Sequence, residues 1–320
     1  MKCDLSIVVP VYGVEEYLAK CLDSLINQTA NNYKILVIND GSKDNSQVII
    51  DKYTKAYPDK VKGYIKENGG LSDARNYGLN YVDTPYVMFI DADDYVENDM
   101  VETCLKEIKD NDVDMVVFGY YQHYVTNNTY EIINPKFEGI YNLKNNPSIL
   151  KDTANAAWNK IYKTSLFKDN NIIYPKGYLY EDLGTTPKLI LKAKNIKYIQ
   201  KALYHYLVDR PNNITRQVNH KILDTISICK SIVKYFKDNQ AFDEYKEELY
   251  YLCKINCIEN MRKVVICNNK ELAYEYIDNV FDFFKDEFKD IKNIYNLKYT
   301  KMDIIYTNRQ LAKMYYCLKK

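Results

Sequence analysis

The chain has 320 residues, 47% of them apolar, and its 44 Lys or Arg nearly balance 43 Asp or Glu. That length predicts two units, or one domain with an appendage. A formal net charge of +1 gives no bulk attraction to nucleic acid, and the eight cysteines are scattered without a CxxC pair, against a disulfide scaffold or zinc cluster.

Buried free thiols are expected instead, with Cys253 and Cys257 four apart on one helix. No secretory signal precedes the first strand, and no apolar run reaches the ~18 residues of a membrane span. The chain therefore reads as reduced and cytoplasmic.

The run LSIVVPVY (5–12), closed by Gly13, predicts a buried parallel strand. VEEYLAKCLDSLINQ (14–28) spaces Val14, Leu18, Cys21, Leu22 and Leu25 along one helix face. A strand KILVIND (34–40) and a helix NSQVIIDKYTKAY (45–57) follow. VKGYIKE (61–67) then leads through Gly69-Gly70 into a helix that Ser72 is placed to cap. PYVMFIDAD (85–93) is a strand ending in acid, before a helix near 97–110 and the strand DMVVFGYY (114–121). This order predicts an α/β fold with a mostly parallel sheet and helices on both faces.

From 122 to about 216 the pattern is irregular, with short helical pieces such as NPSILKDTANAAWNKIY. From about 220 it reads as long amphipathic helices, so the expected boundary lies near 216, with a C-terminal helical region over 217–320.

In an open parallel sheet, ligands sit beyond the carboxyl ends of the strands. Pro10-Val11-Tyr12-Gly13, Asn39-Asp40-Gly41-Ser42, Glu67-Asn68-Gly69-Gly70 and Asp91-Ala92-Asp93-Asp94 all fall there. Each alone is ordinary turn chemistry. All four at one edge point to a ligand site. Asp91 and Asp93, two apart at a strand end, project to one side and can share a divalent cation through oxygen ligands. No GxxxxGK[ST] loop accompanies them.

With VVPVYGVEEYLAKCLDSLINQT, ILVINDGSKDNS, ENGGLSDARNYGL, YVMFIDADD, WNKIYK and YLYEDL, residues 4–216 resemble the inverting nucleotide-sugar glycosyltransferases of family 2. The resemblance implies a GT-A fold and bacterial polysaccharide or glycan assembly. Residues 1–100 would bind the nucleotide-sugar and 101–216 would form the acceptor side. Pro10, Val11 and Tyr12 would line the base pocket, with Tyr12 stacking on uracil, and Asp40 would accept the uracil N–H, favouring a UDP-sugar donor. Asn68 and Arg75 would hold the nucleotide. Asp91-Ala92-Asp93 would belong to the donor site, Asp91 contacting the ribose or the metal and Asp93 binding Mn²⁺ or Mg²⁺ that bridges the diphosphate. Asp182 would be the catalytic base, with Glu181 as its neighbour; two adjacent carboxylates push one pKa upward, which suits a base. The bland alternative is that Glu181 and Asp182 simply begin a helix, where the dipole favours acids.

Weaker assignments surround this set. His205 could be a third metal ligand or a satisfied core histidine, and Trp158 an acceptor platform or core. Lys160 is placed on the acceptor side, and Arg210 could meet the diphosphate. The commoner family form has an arginine nearer Leu207 and a Gly-Ser pair where Asn212-Asn213 stand. The acceptor would be a glycan, glycopeptide or lipid-linked sugar. Residues 291–320, rich in Lys, Arg and Tyr, could touch the inner membrane face, form a homo-oligomer contact, or pack as a helix on the body.

Two rival functions remain. A sugar-1-phosphate nucleotidyltransferase would carry a glycine-rich basic loop after the first strand, which PVYGVEEYL lacks. A catalytically inactive homologue, binding a nucleotide, glycan or partner, would not need the acids of the DxD or Asp182.

Overall fold

The structure is a computed structural model and describes residues 3–208, 218–289, 291 and 308–318. Contacts divide the chain into two units, one of residues 1–177 with 181–213, the other of 178–180 with 214–320. The boundary expected at 216 falls within 209–217, outside the described residues.

The first unit is built on strands β1 (Leu5–Val11), β2 (Tyr33–Asn39), β3 (Val61–Ile65) and β4 (Tyr86–Phe89). They run parallel in the order β3-β2-β1-β4. Every β1 residue is buried, as a strand covered on both faces requires. Leu5, Ile7, Val9 and Val11 pack with Leu18, Cys21, Leu22 and Leu25 of α1 (Glu15–Ile26). On the opposite face, Gly78 of α3 (Leu71–Asn80) lies directly over Val8. Helix α2 (Ser46–Ala56) buries Ile50 and Tyr53 in the same core as α1.

The other half of the sheet is mixed. It contains β5 (Tyr95–Val96), β6 (Met115–Tyr124), β7 (Thr129–Ile133), β8 (Gly139–Tyr141), β9 (Lys160–Lys163) and β10 (Ile196–Leu207). The path continues β4-β9-β6-β10-β5, with β7 beside β6 and β8 beside β10. Only β6 and β10 pair in parallel there. Helix α4 (Met100–Asp110) matches expectation, and short helices α5 (Ile149–Asp152) and α6 (Thr164–Lys168) precede α7 (Glu181–Lys192).

Two local expectations are corrected. The helical reading of NPSILKDTANAAWNKIY holds only for α5, because Lys160–Tyr162 is taken up as a strand by β4 on one side and β6 on the other. Ser72 does not cap α3: the helix begins one residue earlier, and Gly70, at φ +86°, makes the turn into it.

The second unit holds α8 (Asp224–Asp238), α9 (Lys246–Val264), α10 (Lys270–Glu287) and a last helix, Arg309–Leu318. Cys229, Cys253 and Cys257 are buried free thiols in its core. On the last helix, Lys313 pairs with Asp278 at 2.7 Å and Arg309 with Asp278 and Asp282 of α10. Over 308–318 the basic segment thus behaves as a packed helix, and most of the rest of 291–320 lies outside the described residues. No described helix is long and apolar enough to cross a membrane.

A Cβ at position 78 would come within 2.4 Å of Val8 Cγ1. Gly78→Val is therefore expected to lower the stability of the sheet unit by about 1–3 kcal/mol through overpacking. Urea unfolding followed by the fluorescence of Trp158, the single tryptophan, reads this directly.

Candidate active site

The centre of the strand-end edge is one buried guanidinium. Arg75 projects from α3 with 1% of its side chain exposed. Its Nη2 donates to Asp91 Oδ1 at 2.8 Å, and its Nη1 donates to Glu181 Oε1 at 2.9 Å and Asp182 Oδ1 at 2.7 Å. The Tyr174 ring lies 5.2 Å from the same group. Asp91 comes from the turn after β4, while Glu181 and Asp182 open α7, where the helix dipole also favours acids. Burial pushes the Glu181 carboxyl up to about 7, aided by Asp182 beside it. Burial raises Asp182 too, with Asp91 adding to the shift and Arg75 opposing it.

Beside Arg75, carboxylate oxygens of Asp91, Asp93 and Asp94 lie within 4.8 Å of one another. An all-oxygen set this close suits a hard divalent cation. Asp94 is the buried member. Its oxygens accept from Tyr204 Oη at 2.6 Å and from the backbone N–H of Leu207 at 2.9 Å, fastening the end of β10 to this turn.

The residues expected on the nucleotide side form a second cluster. Asp40 is 2% exposed and its oxygens accept from Lys66 Nζ (2.6 Å), Gly69 N (3.0 Å), Gly70 N (2.8 Å) and Asn68 Nδ2 (3.2 Å). Pro10 and Val11 are buried within β1, whereas Tyr12 is 53% exposed at its end.

Three comparisons bear on this arrangement. The model of the family described as "Glycosyl transferase family 2" matches residues 6–170. The chain belongs to glycosyl transferase family 2. It is 35% identical to the glycosyltransferase GlyA of Streptococcus pneumoniae over 70% of its own length but only 34% of that protein's. With the glycosyltransferase YibD of Escherichia coli it shares 30% identity over 77% of this chain and 76% of that one. Staphylococcus aureus TarS 1–349, solved with UDP-GlcNAc, superposes with a TM-score of 0.75 at 21% identity, covering all of this chain and 90% of TarS 1–349. That likeness establishes the GT-A fold, with helices following it.

Within this family 2 chain, Arg75, Asp91, Asp182 and Glu181 meet in one network, and Asp93 stands with Asp91. His205 does not join the acidic group. It pairs with Tyr95 across the β10–β5 ladder, stacks between Tyr95 (4.2 Å) and Tyr121 (4.5 Å), and its Nε2 meets Glu97 Oε1 at 2.7 Å. Strand alternation explains this: Tyr204 faces Asp94, so its neighbour His205 faces the other way. Trp158 is 7% exposed, stacked on Tyr204 at 4.4 Å and Tyr206 at 5.5 Å, so it is core and not an open sugar platform. Lys160 is fully buried and presents nothing to an acceptor. Arg210 lies outside the described residues.

Sequence reasoning missed Asp94 as a fastening group and Tyr204 as its partner. The signals were the second acid of Asp93-Asp94 and the period-two alternation of Tyr204, His205 and Tyr206.

Removing Arg75 would strand Glu181 and Asp182 as uncompensated buried charge. Arg75→Leu is expected to cost about 3–5 kcal/mol at pH 8. Both acids have raised pKa values, so they take up protons as the pH falls, and the deficit should shrink towards pH 5. Thermal unfolding of both proteins across that range checks the sign.

Proposed function

We propose that this chain transfers a hexose or N-acetylhexosamine from a UDP-sugar to a hydroxyl of a glycan, glycopeptide or lipid-linked acceptor, with inversion at the anomeric carbon by single displacement. The observation that carries the reading is the shared guanidinium, which ties an acid of the cation-type cluster to the acid pair opening α7. The binding of UDP-GlcNAc by the fold neighbour TarS supports the choice of donor.

Each residue has a duty in this reading. Tyr12, exposed at the end of β1, stacks on the uracil. Asp40 accepts the uracil N–H by exchanging it for one of its four present donors, so base binding is coupled to the Asn68-Gly69-Gly70 loop. Asp91 and Asp93 hold Mn²⁺ or Mg²⁺. When bound, that ion supplies positive charge against the departing diphosphate. Arg75 is the fixed cation of the site; a diphosphate oxygen would compete with the carboxylates for its Nη groups.

Asp182 is the base. Its Oδ1 is held by Arg75 and its Oδ2 by the backbone N–H of Ala157 at 3.0 Å, so the carboxylate is oriented before an acceptor arrives. A pKa raised by burial makes it a better proton acceptor than a free aspartate. Glu181 Oε1 accepts from the same Arg75 Nη1, and the charge of Asp182 adds to the rise of its carboxyl pKa.

Release of UDP from a panel of UDP-sugars with Mn²⁺, in the presence of candidate acceptors, tests the reading. One donor should turn over; Asp93→Ala and Asp182→Asn should each lower kcat by about 10²–10⁴-fold, with Asp182→Asn still binding UDP. Retained turnover in Asp182→Asn would move the base to another residue, with Glu181 the first to examine.

The pH profile provides a separate check. Asp182 must be ionised to accept a proton, and burial raises its pKa, so the rate should rise through an acid limb above the usual aspartate range. Glu181→Gln removes a neighbouring negative charge, which lowers the Asp182 pKa and should move that limb to lower pH. A limb that stays in place, or moves up, contradicts the pairing.

A further inference from the structure

Lys160 is a buried cation that neither the donor nor the acceptor side accounts for. It is 0% exposed at the start of β9, and its Nζ donates to Ala154 O, Ala156 O and Asn159 Oδ1, each at 2.6 Å. Only a protonated amine has three N–H groups for three acceptors. Burial pulls its pKa down to about 7 despite the opposing charge of Asp182. An ammonium kept in such a place needs a local reason.

The reason lies in what those bonds shape. They curl residues 154–159 around the ammonium, between α5 and β9, with no regular secondary structure to hold the segment. The curl turns the Ala157 N–H onto Asp182 Oδ2 at 3.0 Å. Other bonds fix the same loop: Thr186 Oγ1, one turn after Asp182 on α7, donates to Asn155 O at 2.6 Å, and Tyr162 Oη donates to Ala157 O at 3.3 Å. Asn159 Nδ2 reaches Phe118 O on β6 at 3.2 Å. Arg75 therefore holds one oxygen of Asp182, and a loop wound on Lys160 holds the other.

We propose that Lys160 is the positioning residue of the Asp182 carboxylate, acting through the Ala157 N–H without touching substrate. The proposal rests on the reading of Asp182 as the base. Its chemistry is indirect: the ammonium fixes the loop, the loop presents one backbone donor, and that donor fixes the rotation of the carboxylate that takes the acceptor proton.

The test compares the wild-type chain with Lys160→Met, which nearly keeps the length of the side chain and removes every donor. Amide hydrogen exchange should be about tenfold faster over 154–159, with β1 and β4 unchanged. UDP affinity by calorimetry and the donor KM should hold within about twofold, while kcat falls by about 30-fold. The acid limb of kcat should move to higher pH, because the carboxylate loses both an N–H donor and a nearby cation. A purely structural lysine would instead weaken UDP binding and kcat together.

Unchanged exchange in the loop, or unchanged kcat, overturns the proposal. Asp182→Asn, measured alongside, separates the two ideas. If it keeps its kcat, the base assignment is what fails; if it loses kcat and Lys160→Met does not, the positioning role fails. Should Lys160→Met not fold, Thr186→Val removes only the bond to Asn155 O. It should lower kcat about threefold at constant UDP affinity, and no change in kcat there also overturns the proposal.

Discussion

The site depends on a single guanidinium buried among three carboxylates. An isolated arginine of that burial would be strongly unfavourable, and so would Glu181 and Asp182 side by side at the start of α7. Together they are tolerable, because the planar fork of Arg75 offers separate N–H groups to Asp91 on one side and to the acid pair on the other. The contact joins residues 16 and 107 positions apart in sequence. It makes the geometry of α7 conditional on the turn after β4. Lysine could not replace it, since one ammonium at one point cannot span both sides.

Adjacent acids in this site have different duties, and burial decides which. Asp93 stays with Asp91 at the edge of the cluster. Asp94, one residue later, turns inward to Tyr204 and Leu207 and secures the last strand. Burial pushes the Asp94 carboxyl well above the usual carboxylate range, with Asp91 adding to the shift. The same division appears on β10, where Tyr204 serves the acidic turn and His205 is enclosed by Tyr95 and Tyr121 on the opposite face.

What the sequence made legible was what is local. The parallel half of the sheet could be read because buried strands leave continuous apolar runs, and the strand-end acids because chain direction places them at one edge. Strands β7 to β10 were not legible. Tyr130 and Ile132 in β7 are exposed, and KIYK becomes a strand only because β4 and β6 leave a gap that it fills. The same limit applies within the site. Nothing local distinguishes an Asp40 open to a base from one already accepting four hydrogen bonds, or a Trp158 on the surface from one stacked under Tyr204 and Tyr206. Those facts belong to partners far away in the chain.

The charge balance of the edge gives the arrangement its direction. Asp91, Asp93, Asp94, Glu181 and Asp182 face Arg75 and Lys160, an excess of acid that a half-buried site does not hold ionised at no cost. Burial raises Asp94, Glu181 and Asp182, which favours their neutral forms and so eases the excess. Asp91 and Asp93 are the members of the cluster nearest solvent. A divalent cation there would offset the Asp91 charge that adds to the burial-driven rise of these acids, and so lower their pKa values. Cation binding at the turn after β4 and ionisation of the acid pair opening α7 would then be two consequences of one electrostatic constraint, connected through Arg75.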